Sequence, residues 1–259
     1  MDLGIAGKKA LVCASSKGLG KGCAMALAEA GVDLILNARG QEALEDTAEL
    51  IRSRYNVHVE AVSADIASSD GQSEVLERAG VVDILVNNAG GPPPGVWSEW
   101  GREDFLSALN ANMLTPIALM SHYLPIMIEK GWGRVVNITS QSVKAPIAIL
   151  GLSNSARAGL TGYVAGTSRQ VAPYGVTINN LLPGVHDTDR IGLLDAQVSK
   201  SQGISLEEVT RERIASVPVG RYGTIEEFGA TCAFMCSQQA SFIVGQNIVL
   251  DGGAVNATI

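Results

Sequence analysis

Short apolar runs alternate along the chain with longer stretches in which apolar positions recur at helical spacing. Lys9-Ala10-Leu11-Val12-Cys13 reads as a strand, and Leu19 to Ala30 as a helix closed by Gly31. Asp33 to Ala38 reads as a second strand, followed by a helix over Gln41 to Tyr55 with Leu44, Ala48 and Ile51 at helical spacing. The pattern places a third strand at His58 to Ser63 and a fourth at Val82 to Val86, running into Asn87-Asn88-Ala89-Gly90. Arg134 to Ile138 and Thr177 to Leu182 read as strands, each preceded by a long helical segment, and Gln246 to Leu250 as the last one. Strands written as continuous apolar runs suit a parallel sheet buried on both faces. Strands alternating with helices imply right-handed βαβ units. The pattern therefore predicts an α/β, doubly wound Rossmann fold, with a mostly parallel seven-stranded sheet and helices on both faces. No internal repeat or linker divides residues 1–259, so one domain is expected.

In such a fold, ligands bind beyond the carboxyl ends of the strands. Three loops lie there: Gly90-Gly91-Pro92-Pro93-Pro94-Gly95, Pro183-Gly184, and a long, mostly polar stretch from Asp189 to Val217. The last is read as a lid over a substrate pocket.

Charge narrows the function classes. A net charge of −7 argues against a general nucleic-acid or anionic-membrane surface, while leaving room for local basic pockets. The N-terminus lacks a basic segment followed by a long apolar run, and no stretch approaches the length of a membrane span. A cytoplasmic protein with no membrane and no nucleic-acid partner is expected. Cys13, Cys23, Cys232 and Cys236 have no His or acidic companions close in sequence, so they read as small buried hydrophobes and no metal site is expected.

The chemistry begins at Ala14-Ser15-Ser16-Lys17-Gly18-Leu19-Gly20, between the first strand and the first helix. Gly18 and Gly20 let the backbone approach a pyrophosphate, whose charge meets the helix N-terminus. The plainer alternative is a tight strand–helix turn. The second strand ends Leu36-Asn37-Ala38-Arg39, without the acid that would bind the ribose hydroxyls of NAD. Arg39 is instead available for a 2′-phosphate, with Lys17 as a second cation, so NADP(H) is the expected cofactor. Otherwise both are solvated surface charges.

With these motifs the chain resembles the short-chain dehydrogenase/reductase family over nearly its whole length. The resemblance is carried by the glycine turn, Asn87-Asn88-Ala89-Gly90, Pro183-Gly184 with Thr188 four residues on, and Gly245-Gln246 with Asp251-Gly252-Gly253. Within the family it is similar to the 3-oxoacyl-[acyl-carrier-protein] reductases and to a subgroup carrying Asn-Asn-Ala-Gly-Gly-Pro-Pro-Pro. The resemblance implies adenine contacts at Asp65 and Ile66, and an adenosine ribose bordered by Asn88, Ala89 and Gly90. It also implies that Pro183, Gly184, Val185 and Thr188 lie near the nicotinamide or pyrophosphate. A small-molecule substrate and a homotetramer follow from it too, with helices around Asn112 and Arg157 pairing between subunits.

Two departures from the family pattern matter. The turn begins Cys13-Ala14 where the family has Thr-Gly, and a positive φ at Ala14 would carry a cost. The family also uses Asn, Ser, Tyr and Lys, with Ser thirteen residues before Tyr and Lys four after it. Asn112 and Ser140 match, but the count from Ser140 gives Ser153 and then Arg157. Tyr163 does not restore the register, because Thr167 stands four residues on. A serine hydroxyl is a far weaker acid than a phenol; Arg157 can still hold the nicotinamide ribose by its fork of donors, but it stays protonated, so the proton must come from elsewhere. Water and His186 are the candidates, and Lys144 is a candidate for the border of the pocket. Trp97, Trp100 and Ile191 to Val217 are candidate pocket-lining segments.

The leading expectation is an NADP(H)-dependent oxidoreductase on a carbonyl/secondary alcohol pair. An NADP(H)-binding protein without redox catalysis, and a non-redox enzyme on the same fold, are the alternatives.

Overall fold

The structure is a computed structural model that describes residues 1–257; Thr258 and Ile259, the end of the expected domain, lie outside the described residues. Seven parallel strands form one sheet in the order β3-β2-β1-β4-β5-β6-β7. They are β1 (Lys9–Cys13), β2 (Asp33–Ala38), β3 (Val59–Ser63), β4 (Ile84–Asn87), β5 (Gly133–Ile138), β6 (Val176–Pro183) and β7 (Asn247–Leu250). The chain order reverses between β1 and β4, and the crevice of a doubly wound sheet opens at that point.

The helices are α1 (Gly18–Glu29), α2 (Gln41–Arg54), α3 (Ser69–Ala79), α4 (Arg102–Leu109), α5 (Thr115–Glu129), α6 (Gly151–Val171), α7 (Asp189–Gln202), α8 (Leu206–Ala215) and α9 (Ile225–Cys236). Two buried apolar clusters lie on opposite faces of the sheet, one packed by α1 and α9 and the other by α5 and α6. Alternate residues of β1 divide between them: Ala10 and Val12 join the first, Leu11 and Cys13 the second. The α1–α9 contact is close because both faces carry glycine. A Cβ on Gly22 would lie 2.2 Å from the Ile225 carbonyl oxygen, and one on Gly229 equally close to that of Gly22. Cys23, Cys232 and Cys236 fill this interface as free, buried thiols. Hydrogen bonding to a neighbouring thiol (Cys23 for Cys232, Cys232 for Cys236), and burial beside it, push Cys232 and Cys236 well above the usual thiol range.

The fourth strand begins at Ile84, two residues after the position the apolar pattern gives. Asp83 breaks that apolar run, and its carboxylate accepts from the Lys9 backbone N–H at 3.1 Å and pairs with Lys130 Nζ at 2.6 Å. Polar residues also cross the sheet interior. Asn87, Asn137, Asn180 and Asn247 stand in register on β4 to β7. Their amides bond in sequence at 2.8, 3.1 and 2.8 Å, so three strand pairs are tied by side chains as well as backbone.

The predicted lid resolves into two helices, α7 and α8, mostly exposed. Their fixed point is Asp195, buried and held by Arg213 Nε at 2.5 Å and Tyr222 OH at 2.9 Å. Among the described residues no helix is long and apolar enough to cross a membrane.

Candidate active site

The turn from β1 into α1 is fastened from three sides. Ser15 is fully buried, with its N–H on the Asn37 carbonyl at 3.0 Å, and Thr47 donates to the Ser16 carbonyl at 2.8 Å. Asn88 donates to the Ala14 carbonyl at 3.4 Å, and a Cβ on Gly20 would sit 2.2 Å from that same oxygen. Gly20 is therefore required by the close approach of α1 to the turn. Lys17 is the N-cap residue but provides no side-chain cap, and the first turn of α1 holds no acid. Leu19 follows in that first turn. The N–H groups there are left for an anion. Ala14 takes φ +47°, the left-handed region that favours glycine, so the Ala-for-Gly departure is strained.

Arg39 follows β2 as an exposed residue, its carbonyl held by Ser63 Oγ at 3.1 Å. Lys17 is placed otherwise than expected. Its ammonium is drawn to the carboxylate of Asp189, at 3.2 Å, rather than standing with Arg39 around a single phosphate. Both side chains are about seven-tenths exposed, with values of 70% and 72%, so this pair is weak.

The opposite wall is the segment after β6. Pro183, Gly184 and Val185 are half-buried, and Thr188 is the N-cap residue of α7. A Cβ built on Gly18 would lie 3.5 Å from Thr188 Cγ2, so the glycine turn and the start of α7 face each other across the crevice. Asn88 and Ala89 are half-buried and Gly90 exposed, past β4. Asp65 and Ile66 follow β3; the Asp65 carboxylate accepts from Ala67 N–H at 3.1 Å.

Asn112 lies in a single π-helical turn, Asn110–Leu114, inserted between α4 and α5. Such insertions often mark functional sites. Asn112 is buried and its Oδ1 has no hydrogen-bond partner. Ser140 lies two residues past β5, and its Oγ accepts from Ser142 N–H at 3.1 Å. Ser153 and Arg157 are both buried on α6, where the Arg157 Nε donates to Ser153 Oγ at 3.1 Å. Arg157 Nη1 donates to the Ile138 carbonyl at 2.8 Å, which brings the guanidinium to the end of β5 beside Ser140. In both serines a nitrogen already occupies the oxygen as donor, so each hydroxyl proton is free to point elsewhere. Burial, and next to it the charge of Arg190, holds the Arg157 guanidinium down to about 10. It remains a cation at neutral pH.

His186 turns out to be a packing residue. It is buried edge-on against Phe228 with ring centroids 5.3 Å apart, and its Cδ2 blocks any side chain at Gly223. Burial lowers its pKa, which favours the neutral ring. Lys144 is exposed at the end of a 3₁₀ turn. Trp100 lays its ring over Gly151 at the start of α6, whereas Trp97 is 85% exposed. The apolar pattern does not mark Arg190, which donates to the carbonyls of Gly91 at 2.9 Å and Pro92 at 3.2 Å. Its place two residues after Thr188, at the mouth of the crevice, is the signal that could have found it. Among the described residues no group of His, Cys, Asp or Glu side chains is arranged to hold a metal ion.

Comparisons with known proteins agree with this fold. The family described as Enoyl-(Acyl carrier protein) reductase matches residues 13–255. The chain is 30% identical over 259 residues to the 3-oxoacyl-[acyl-carrier-protein] reductase FabG of Aquifex aeolicus, covering 98% of this chain and 99% of that protein. It is 28% identical to the NADPH-dependent reductase BacG of Bacillus subtilis, with 96% and 98% covered. Among solved structures, L-sorbose reductase from Gluconobacter frateurii, complexed with NADPH and L-sorbose, superposes with a TM-score of 0.94 at 26% identity. That match covers 99% of this chain and 100% of the other.

Proposed function

Because the chain belongs to the short-chain dehydrogenase/reductase family, we propose that it is an NADP(H)-dependent oxidoreductase acting on a carbonyl/secondary alcohol pair through an atypical Ser153–Arg157 site. The observation that carries the reading is the convergence of Ser140, Ser153 and Arg157 at the end of β5, beside a glycine turn shaped for a dinucleotide. The residues present fit that cofactor. The uncapped N-terminus of α1 and the Gly20 cradle suit a diphosphate, and Arg39, exposed just after β2, is available for a 2′-phosphate. NADPH and NADP accompany several similar structures, which supports the same choice.

When bound, NADPH supplies the hydride to the carbonyl carbon. Ser140 and Ser153 donate their hydroxyl protons as hydrogen bonds to the carbonyl oxygen, where negative charge develops. A positioned donor of this kind lowers the barrier by about 3 to 4 kcal/mol. Arg157 holds Ser153 in place and stabilises charge there, but stays protonated, so water delivers the proton that completes the alcohol. Asn112 Oδ1, buried and without a partner, is an acceptor for such a water.

The relatives' names make 3-oxoacyl thioesters the first substrates to try. A homotetramer is part of the reading. The outer face of α6 carries exposed Ala158, Gly159, Gly162 and Gly166, which would let a second copy approach closely. NADPH titration by fluorescence, followed by NADPH oxidation with ketones, quinones and 3-oxoacyl thioesters, tests the proposal. Binding with turnover supports it. Binding without turnover on any of them favours a non-redox cofactor-binding protein, the reading that the loss of the usual tyrosine and lysine would favour.

A further inference from the structure

Two guanidinium groups stand over the carboxyl ends of adjacent strands. Arg157 reaches the carbonyl of Ile138, the last residue of β5. Arg190 reaches the carbonyls of Gly91 and Pro92, just past β4. β4 and β5 are hydrogen-bonded neighbours, with Asn87 opposite Asn137 near their ends. The two cations therefore enter one stretch of crevice from different walls, Arg157 from α6 and Arg190 from the lid. Their mutual charge adds to burial in pulling Arg157 down from its ordinary value.

Among the described residues neither guanidinium forms an ion pair. The acid next to Arg190 in the chain, Asp189, is engaged by Lys17 instead. The recorded bonds of Arg157 are to a serine oxygen and a backbone carbonyl, both neutral. Those of Arg190 are to backbone carbonyls alone. Two like charges in a partly desolvated place, with donors to spare and no counter-charge, form a receptor for an anionic oxygen group.

We propose that Arg157 and Arg190 together receive a carboxylate of the substrate, so that the enzyme takes oxo acids in preference to neutral ketones. This rests on the reductase reading and names its substrate class. The geometry suits a planar carboxylate, because each guanidinium presents a fork of N–H donors. It also places that carboxylate next to Ser153, which Arg157 already holds, and so close to the reacting carbonyl. The diphosphate of the cofactor is the other anion that could reach Arg190, and it has its own receptor in the uncapped N-terminus of α1.

The test is calorimetric titration of acetoacetate, levulinate and 5-oxohexanoate, each beside its methyl ester, into the protein saturated with NADP+. At least one acid should bind about tenfold or more tightly than its ester. Arg190→Gln should abolish that ratio and Arg190→Lys should restore part of it, with NADP+ affinity held within about threefold in both. Equal binding of acids and esters by the unaltered protein, or no binding of any of the six, overturns the proposal. So does an Arg190→Gln protein that loses about tenfold in NADP+ affinity while keeping the acid-over-ester ratio, because the guanidinium then serves the cofactor's diphosphate. Tight acid binding without NADPH oxidation would leave the anion site standing and defeat the reductase reading alone.

Discussion

Arg157 and Ser153 sit one helical turn apart on α6, and the guanidinium Nε donates to the serine oxygen at 3.1 Å. The bond fixes which way the hydroxyl can act. With its oxygen already accepting from a cation, Ser153 has its proton free for a substrate oxygen, and the same holds for Ser140 through Ser142 N–H. Substituting Ser140 by alanine should therefore lower kcat by roughly a hundredfold, while NADPH affinity stays the same. Steady-state kinetics beside a fluorescence titration separates the two effects.

Arg39 is the cation placed for a 2′-phosphate, and it forms no ion pair among the described residues. Arg39→Ala should weaken NADPH binding by about 1.5 to 3 kcal/mol, the range of a hydrogen bond to a charged group, and leave NADH binding unchanged. Parallel titrations with the two nucleotides check this. Asp189→Asn should act in the opposite direction. Releasing Lys17 from its exposed pair should tighten NADPH by less than about 1 kcal/mol, and more weakly as salt rises.

Ala14 holds φ +47° where the family pattern has glycine. Ala14→Gly should relieve about 1 kcal/mol of backbone strain and raise Tm by about 2 to 4 °C. Gly20→Ala should do the reverse, because the added methyl would meet the Ala14 carbonyl at 2.2 Å and force the turn open. Thermal melts of both variants, with and without NADPH, give the comparison.

His186 contributes a pH dependence of definite sign. Burial against Phe228 depresses its pKa, so between its folded and unfolded values the unfolded chain binds the extra proton. Stability is then fully present above the unfolded pKa, near 6.5, and is lost as pH falls through the lower folded value. A series of Tm values from pH 5 to 7.5 should show that decline in the unaltered protein and a shallower one in His186→Gln. Turnover of His186→Gln at pH 7.5 should match the unaltered protein, since water supplies the proton.

The sheet was legible because its strands are apolar runs bounded by turns, and a buried parallel strand needs little else. Its exceptions have physical causes. Asp83 breaks the fourth apolar run because a carboxylate there binds both the Lys9 backbone and Lys130, while its own backbone N–H still donates to the Lys9 carbonyl at 2.8 Å. The asparagines of β4 to β7 look ill-suited to a core, yet each amide is bonded across to its neighbour. At the site, spacing along the chain gave Asn112, Ser140, Ser153 and Arg157 as candidates, and the last two meet in a hydrogen bond because both ride on α6. The π-helical turn at Asn112 left no trace in a periodicity that it shifts by one residue. Contacts between side chains far apart in sequence were out of reach. Lys17 with Asp189, and Arg190 with Gly91 and Pro92, depend on where the start of α7 lies relative to the first and fourth strands.

Single-turnover hydride transfer, followed as loss of NADPH fluorescence after rapid mixing with a reducible carbonyl compound, reaches the central claim most directly. Ser153→Ala should slow that step by roughly a hundredfold or more relative to the unaltered protein, at equal NADPH occupancy. Equal rates in the two proteins would contradict a role for the Ser153–Arg157 pair in the chemistry.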